Sequence, residues 1–166
     1  MRKDHMKSAH HEQIRIVNFK ETKIAVFEHY GNPRHQGDSI RKFIEWRRLN
    51  HLPPKVSATY NIVYNNPAEV KPEEYRIDLC AEIKQDVAEN KFGVRNKTIP
   101  SGRCAVLRHI GSDDTFEKAV RYLYADWLPQ SGEELRDFPL FFQGVTFFPD
   151  VPENESIVDI YLPLKD

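Results

Sequence analysis

Ile24-Ala25-Val26-Phe27-Glu28-His29-Tyr30-Gly31 and Cys104-Ala105-Val106-Leu107-Arg108-His109-Ile110-Gly111 carry Ala, Val, His and Gly at identical offsets, 80 positions apart. A second match follows in the same order, Ile77-Asp78-Leu79-Cys80 with Val158-Asp159-Ile160-Tyr161, at an offset of 81. Two matches at nearly one offset read as an internal duplication, and a duplication decides the fold before any single element does.

The segments between the matches agree. After Gly31, Ile40, Phe43, Ile44 and Trp46 have the spacing of an amphipathic helix over residues 36–48. After Gly111, Phe116, Ala119, Val120, Leu123, Tyr124 and Trp127 form a longer apolar stripe, which Pro129 and Gly132 are expected to end. Each helix precedes a β-type run, residues 58–64 and 140–148, and each copy closes with another, 75–83 and 156–164. Segments 14–19 and 95–99 supply a short strand ahead of each Ala-Val run. The expected fold is α+β, a tandem pseudo-twofold duplication of a strand–helix–strand–strand unit, with an antiparallel sheet and two main helices. Repeat one spans 14–83 and repeat two 95–164, inside a single domain of residues 14–166. Neither unit alone buries its faces well, so the copies are expected to share a core and leave a central groove at their seam, a preferred place for ligands.

The composition bounds the function. A formal net charge of −1 over 166 residues disfavours DNA or RNA binding by this chain alone. No apolar run approaches a membrane span, and the polar, basic residues 1–13 lack the apolar stretch of a secretory signal, so they read as a disordered lead-in. Cys80 and Cys104 form neither a disulfide framework nor a metal spacing and read as reduced thiols of a cytoplasmic protein.

Several motifs together resemble the GyrI-like, or AraC-type effector-binding, domain of Rob-like and BmrR-like regulators and of the gyrase inhibitor. They are Ala25-Val26 through His29-Tyr30-Gly31; Tyr64-Asn65-Asn66-Pro67 with Arg76-Ile77-Asp78-Leu79-Cys80; Ala105-Val106 through His109-Ile110-Gly111; Trp127-Leu128-Pro129-Gln130-Ser131-Gly132; and Asp159-Ile160-Tyr161-Leu162-Pro163-Leu164. The resemblance implies a bacterial small-molecule or multidrug binding domain of the transcription-regulator type, acting as a ligand sensor without enzymatic activity or cofactor. The alternatives are a protein-binding modulator similar to the gyrase inhibitor and a hydrolase on the same fold. The family commonly places a Glu, often the partner of a cationic ligand, where Phe142 stands here, and a Tyr where Gly144 stands. Too few residues precede the first strand for a helix-turn-helix region. The chain is therefore expected to be a free-standing sensor or a domain of a longer regulator, with an upstream DNA-binding domain or a protein as partner.

The repeated polar residues have structural readings first. His29 and His109 end equivalent strands and are expected to satisfy turn backbone, since no cluster completes a zinc site around them. Asp78 and Asp159 sit in otherwise apolar strands, where an ionised carboxylate needs a partner. Glu82 shares the strand face of Asp78 and Cys80 and is the local candidate to replace the family's Glu. The aromatic residues carry the ligand expectation. Trp127, Phe142, Tyr60, Tyr64, Phe147 and Tyr161, with Glu82, are the candidate ligand-binding residues, Trp127 and Phe142 foremost. They would stack flat apolar ligands of low or single positive charge. Charge selectivity is expected to be weak unless Glu82 or Asp78 reaches the site.

Overall fold

The computed structural model describes residues 14–146 and 150–166. The segment read as a disordered lead-in lies outside the described residues, as do Phe147 and Phe148. The strands are β1 (Ile14–Phe19), β2 (Thr22–Tyr30), β3 (Thr59–Val63), β4 (Arg76–Glu82), β5 (Arg95–Ile99), β6 (Gly102–Ile110), β7 (Phe141–Thr146) and β8 (Ile157–Pro163). The helices are α1 (Gln36–Leu49), α2 (Asp113–Tyr122) and α3 (Leu128–Ser131), the last two joined by a π-helical turn over Leu123–Trp127. None of the described helices is long and apolar enough to cross a membrane.

The chain forms two compact units. One contains Glu21–Pro100; the other contains residues 14–20 and Ser101–Asp166. The first holds α1 and an antiparallel sheet ordered β5-β2-β4-β3, the second α2, α3 and an antiparallel sheet ordered β1-β6-β8-β7. The β2–β4 and β6–β8 pairings repeat the same register. Ala25 pairs with Ala81 and Ala105 with Leu162; His29 pairs with Ile77 and His109 with Val158. The units do not follow the contiguous repeats 14–83 and 95–164, however. The repeats exchange their first strands, so that β5 pairs with β2 while β1 pairs with β6. Thr22 faces Ile99 as Gly102 faces Phe19, so the exchange keeps the register of the duplication.

In the Glu21–Pro100 unit, Ala25, Leu79 and Ala81 line the α1-facing side of the sheet. Their small size lets Phe43 and Trp46 settle on the strands as a parallel stack, 5.8 Å between centroids. Alternation along each strand sends Glu28, Asp78 and Cys80 to the opposite face. In the other unit α2 carries the expected stripe, but its continuation is not a plain α-helix. Pro129 lacks an N–H and crowds the preceding turn, and the chain widens into the π-helical turn immediately before it. The helix passes through Pro129 and ends at Gly132, whose φ of 77° suits glycine.

Candidate functional site

The repeated histidines are engaged locally. His29 Nε2 lies 3.2 Å from the carbonyls of Gly31 and Asn32, and Nδ1 lies 2.7 Å from Ser39 Oγ on α1. His109 Nε2 lies 2.7 Å from Thr115 Oγ1 on α2, and its ring meets Phe116 edge-on. The repeated His-x-Gly thus ties a strand end to the helix that follows it. At Gly111 a Cβ would approach Thr115 Oγ1 to 3.0 Å, against the same contact. Among the described residues no group of three or more His, Cys, Asp or Glu is arranged to hold a metal ion.

The repeated aspartates differ in their partners. Asp159 is buried and receives a bidentate pair from Arg108, whose Nε and Nη2 donate to Oδ1 at 2.8 Å and Oδ2 at 3.0 Å. Asp78 is completely buried and takes part in a larger constellation. Its Oδ2 accepts from the Tyr64 hydroxyl at 2.8 Å and from Lys97 Nζ at 3.2 Å, and its Oδ1 lies 3.5 Å from Arg76 Nη2. Glu28, opposite Asp78 in the β2–β4 register, accepts from Lys97 at 2.7 Å and Arg76 at 3.0 Å, both through Oε2. Arg95 stands 3.6 Å from the other oxygen of Glu28. The Arg76 guanidinium lies over Tyr64 at 3.9 Å and over Tyr30 at 5.0 Å. Arg76 Nε and Asp78 Oδ1 are buried without a hydrogen-bond partner among the described residues.

The electrostatics follow from this geometry. Burial pushes the Glu28 carboxyl up, but the Lys97 hydrogen bond and the charges of Lys97, Arg76 and Arg95 outweigh it and hold Glu28 below the ordinary carboxylate range. Burial and then the Asp78 carboxylate raise the Tyr64 hydroxyl, so Tyr64 remains a donor. Burial also raises the Cys80 thiol well above its usual value, so Cys80 is an unreactive filler beneath the constellation.

The candidates named from sequence fall in both units. In the Glu21–Pro100 unit, Tyr64 belongs to the constellation and Tyr60 is buried on β3, opposite Cys80. Glu82 is exposed at the end of β4 and borders an open cavity of about 750 Å³ whose walls include Trp46 and Phe92. In the other unit Tyr161 stacks on Phe141 at 4.9 Å and lies 3.4 Å from Gln143 through its hydroxyl. Phe142, expected to project toward a ligand, occupies the opposite side of β7 and packs edge-on against Phe116 of α2 at 5.0 Å. Trp127 is buried in the π-helical turn. Phe147 lies outside the described residues. Arg76, Lys97, Glu28 and Tyr30 were not singled out from sequence. Their signal is a period of two in charge, Arg76-x-Asp78 and Arg95-x-Lys97, inside strands that are otherwise apolar or short.

The chain belongs to the family of GyrI-like small molecule binding domains, whose sequence profile matches residues 12–165. It is 33% identical over 152 residues to a protein of Escherichia coli (strain K12) named probable transcriptional regulator YgiV, covering 91% of this chain and 95% of that one. It is 26% identical to a DNA gyrase inhibitor of Erwinia billingiae, over 92% and 97% of the two chains. Among solved structures, the C-terminal domain of EcmrR matches with a TM-score of 0.74 at 14% identity, over 93% of this chain and 98% of that one. A hydrolase from Listeria innocua shares the fold, with a TM-score of 0.67 at 8% identity over 98% of each chain.

Proposed function

We propose that this domain is a ligand sensor of the transcription-regulator type, working in the bacterial cytoplasm, and that it recognises a flat aromatic small molecule through the Arg76–Asp78–Glu28–Lys97–Tyr64 constellation. One observation carries this reading. Five charged side chains and two tyrosines converge on the strand face turned away from α1, far more polar machinery than one buried aspartate requires. Tyr64 and Tyr30 supply ring faces, and DNA recognition falls to a separate segment or partner. Glu28 and Asp78 are both held by cations, which weakens them as general bases and favours binding over hydrolysis. Titration with a panel of planar dyes, read by tryptophan fluorescence and thermal shift, tests the proposal. Saturable binding to one site with a raised melting temperature is expected, and failure of every planar dye to bind defeats it.

A second reading, a protein-binding modulator, draws on Ile40 and Ile44, which stand exposed one turn apart on α1. It predicts that Ile44→Asp abolishes inhibition of a gyrase supercoiling assay without touching dye binding. A chain that leaves gyrase unaffected removes this reading.

A further inference from the structure

We propose that the molecule sensed here carries an acidic group, an aromatic carboxylate or sulfonate, and that Arg76 and Lys97 receive it. The inference deepens the sensor reading and rests on it. The duplication supplies an internal control. At the positions equivalent to Arg76, Lys97 and Tyr30 the other copy has Ile157, Val17 and Ile110, and the residue paired with Ile157 is Thr146, beyond a bulge in β7. There the buried aspartate is satisfied by Arg108 alone. The fold therefore needs one cation for this aspartate, whereas the Glu21–Pro100 unit gathers Arg76, Lys97 and Arg95 around Glu28 and Asp78.

Three features give that surplus its sign and direction. The carboxylates lie deep and the cations shallow: side-chain exposure is 0% for Asp78 and 16% for Glu28, against 26% for Arg76, 27% for Lys97 and 69% for Arg95. The constellation thus presents positive charge outward. Cations also outnumber carboxylates, with Arg76, Lys97 and Arg95 set against Glu28 and Asp78. Arg76 and Lys97 both donate to the same Glu28 oxygen, and Arg76 Nε and Asp78 Oδ1 have no hydrogen-bond partner among the described residues. A planar guanidinium held over tyrosine rings is pre-oriented for a carboxylate or sulfonate. Finally, Tyr30 is 61% exposed beside Arg76 and offers a face on which a flat ring can stack. The same arrangement disfavours a cationic drug, because the carboxylates that would attract it are covered by the protein's own cations.

The test uses the full chain with two dyes of one skeleton, 8-anilinonaphthalene-1-sulfonate and uncharged N-phenyl-1-naphthylamine, each titrated by fluorescence. The sulfonate is expected to bind about tenfold tighter, the worth of one charge-assisted hydrogen bond. Arg76→Gln should erase most of that advantage, costing the sulfonate far more than the neutral dye, and Lys97→Gln should do so in part. Glu28→Gln should tighten the sulfonate severalfold by removing a competing anion, a gain that damage to the fold does not produce. Melting curves establish that each variant is folded, and Lys97→Gln carries the test if Arg76→Gln is not. Equal affinity for the two dyes, equal loss of both in Arg76→Gln, or weaker sulfonate binding in Glu28→Gln overturns the proposal. Binding of the neutral dye alone preserves the sensor reading and removes this inference; binding of neither removes both.

Discussion

Replacing Arg47 by Met should cost the domain about 2–3 kcal/mol. Arg47 is on α1 but only 5% exposed, and its three acceptors are all neutral. Nε donates to the Leu52 carbonyl at 2.7 Å, Nη1 to Thr59 Oγ1 at 2.7 Å and Nη2 to the Ser57 carbonyl at 2.8 Å. One side chain therefore stitches the loop after α1 to the start of β3. Methionine fills most of the volume and avoids burying a charge, but it leaves the Leu52 and Ser57 carbonyls without donors, at about 1–1.5 kcal/mol each. The Thr59 hydroxyl rotates to another partner and adds little. Burial lowers the Arg47 pKa to about 10, from an ordinary 12.5. In the folded state the proton is held more weakly, so the penalty is complete below pH 10 and relaxes only as pH rises from there toward the unfolded value. The cost of the substitution should accordingly be flat between about pH 6 and pH 8. Urea unfolding followed by circular dichroism measures it, with an unchanged slope expected because the surface exposed is the same. Arg47→Lys, which keeps the charge but loses the three-way fork, should recover less than half. A methionine variant within about 0.5 kcal/mol of the parent, the range of an ordinary surface change, refutes the stitching argument, as does a fully stable lysine variant.

Three further outcomes are expected. Because the folded Glu28 pKa lies below its unfolded value, its contribution is present above about pH 4.5 and lost as pH falls through the folded pKa; Glu28→Gln should flatten the acid limb of a stability–pH curve, and an unchanged limb counts against the pairing. Tyr64→Phe removes one donor from Asp78 while Lys97 stays, so a loss of about 1 kcal/mol in chemical denaturation is expected. Asp159→Asn breaks the bidentate pair with Arg108, whose side chain is 45% exposed. Solvent screening keeps that loss to roughly 1–2 kcal/mol, and a melting temperature equal to the parent's would show the pair to be ornamental.

Much of the fold was legible because the duplication marks places where backbone geometry restricts the residue. Ala25 and Ala105 recur as buried small residues on equivalent strands, and Gly31 and Gly111 take φ values of 101° and 143° at the turn that the preceding histidine braces. The exchange of β1 and β5 was not legible. Both are short strands at the same offset from an Ala-Val run, and Lys20-Glu21-Thr22 reads equally well as a hairpin turn or as a crossing point. Only long-range pairing separates these choices, and alternation within a strand does not report it. For the same reason sequence identified Asp78 as needing a partner without naming one. Lys97 reaches it from β5, the strand beyond β2, and β5 is the exchanged strand. On β7, Phe141 and Gln143 share a face with Tyr161, while Phe142 turns to α2, a choice of face that the expectation for Phe142 left open.

The divergence of the two copies turns on one position. Residues 28 and 108 are equivalent, and each stands directly opposite the repeated aspartate. With arginine at 108 the cross-strand pair is complementary and closes on itself. With glutamate at 28 two carboxylates face each other across the strands, a repulsive pair that a half-buried sheet does not tolerate without neighbouring cations. Arg76 and Lys97 supply them, from the start of β4 and the middle of β5, and each serves both carboxylates. A cation shared between two anions is less committed to either than Arg108 is to Asp159, and its remaining donors stay open to a third acceptor. Reversal of charge at one strand position thus separates an ion pair that closes on itself from the five-charge constellation proposed above as the ligand site.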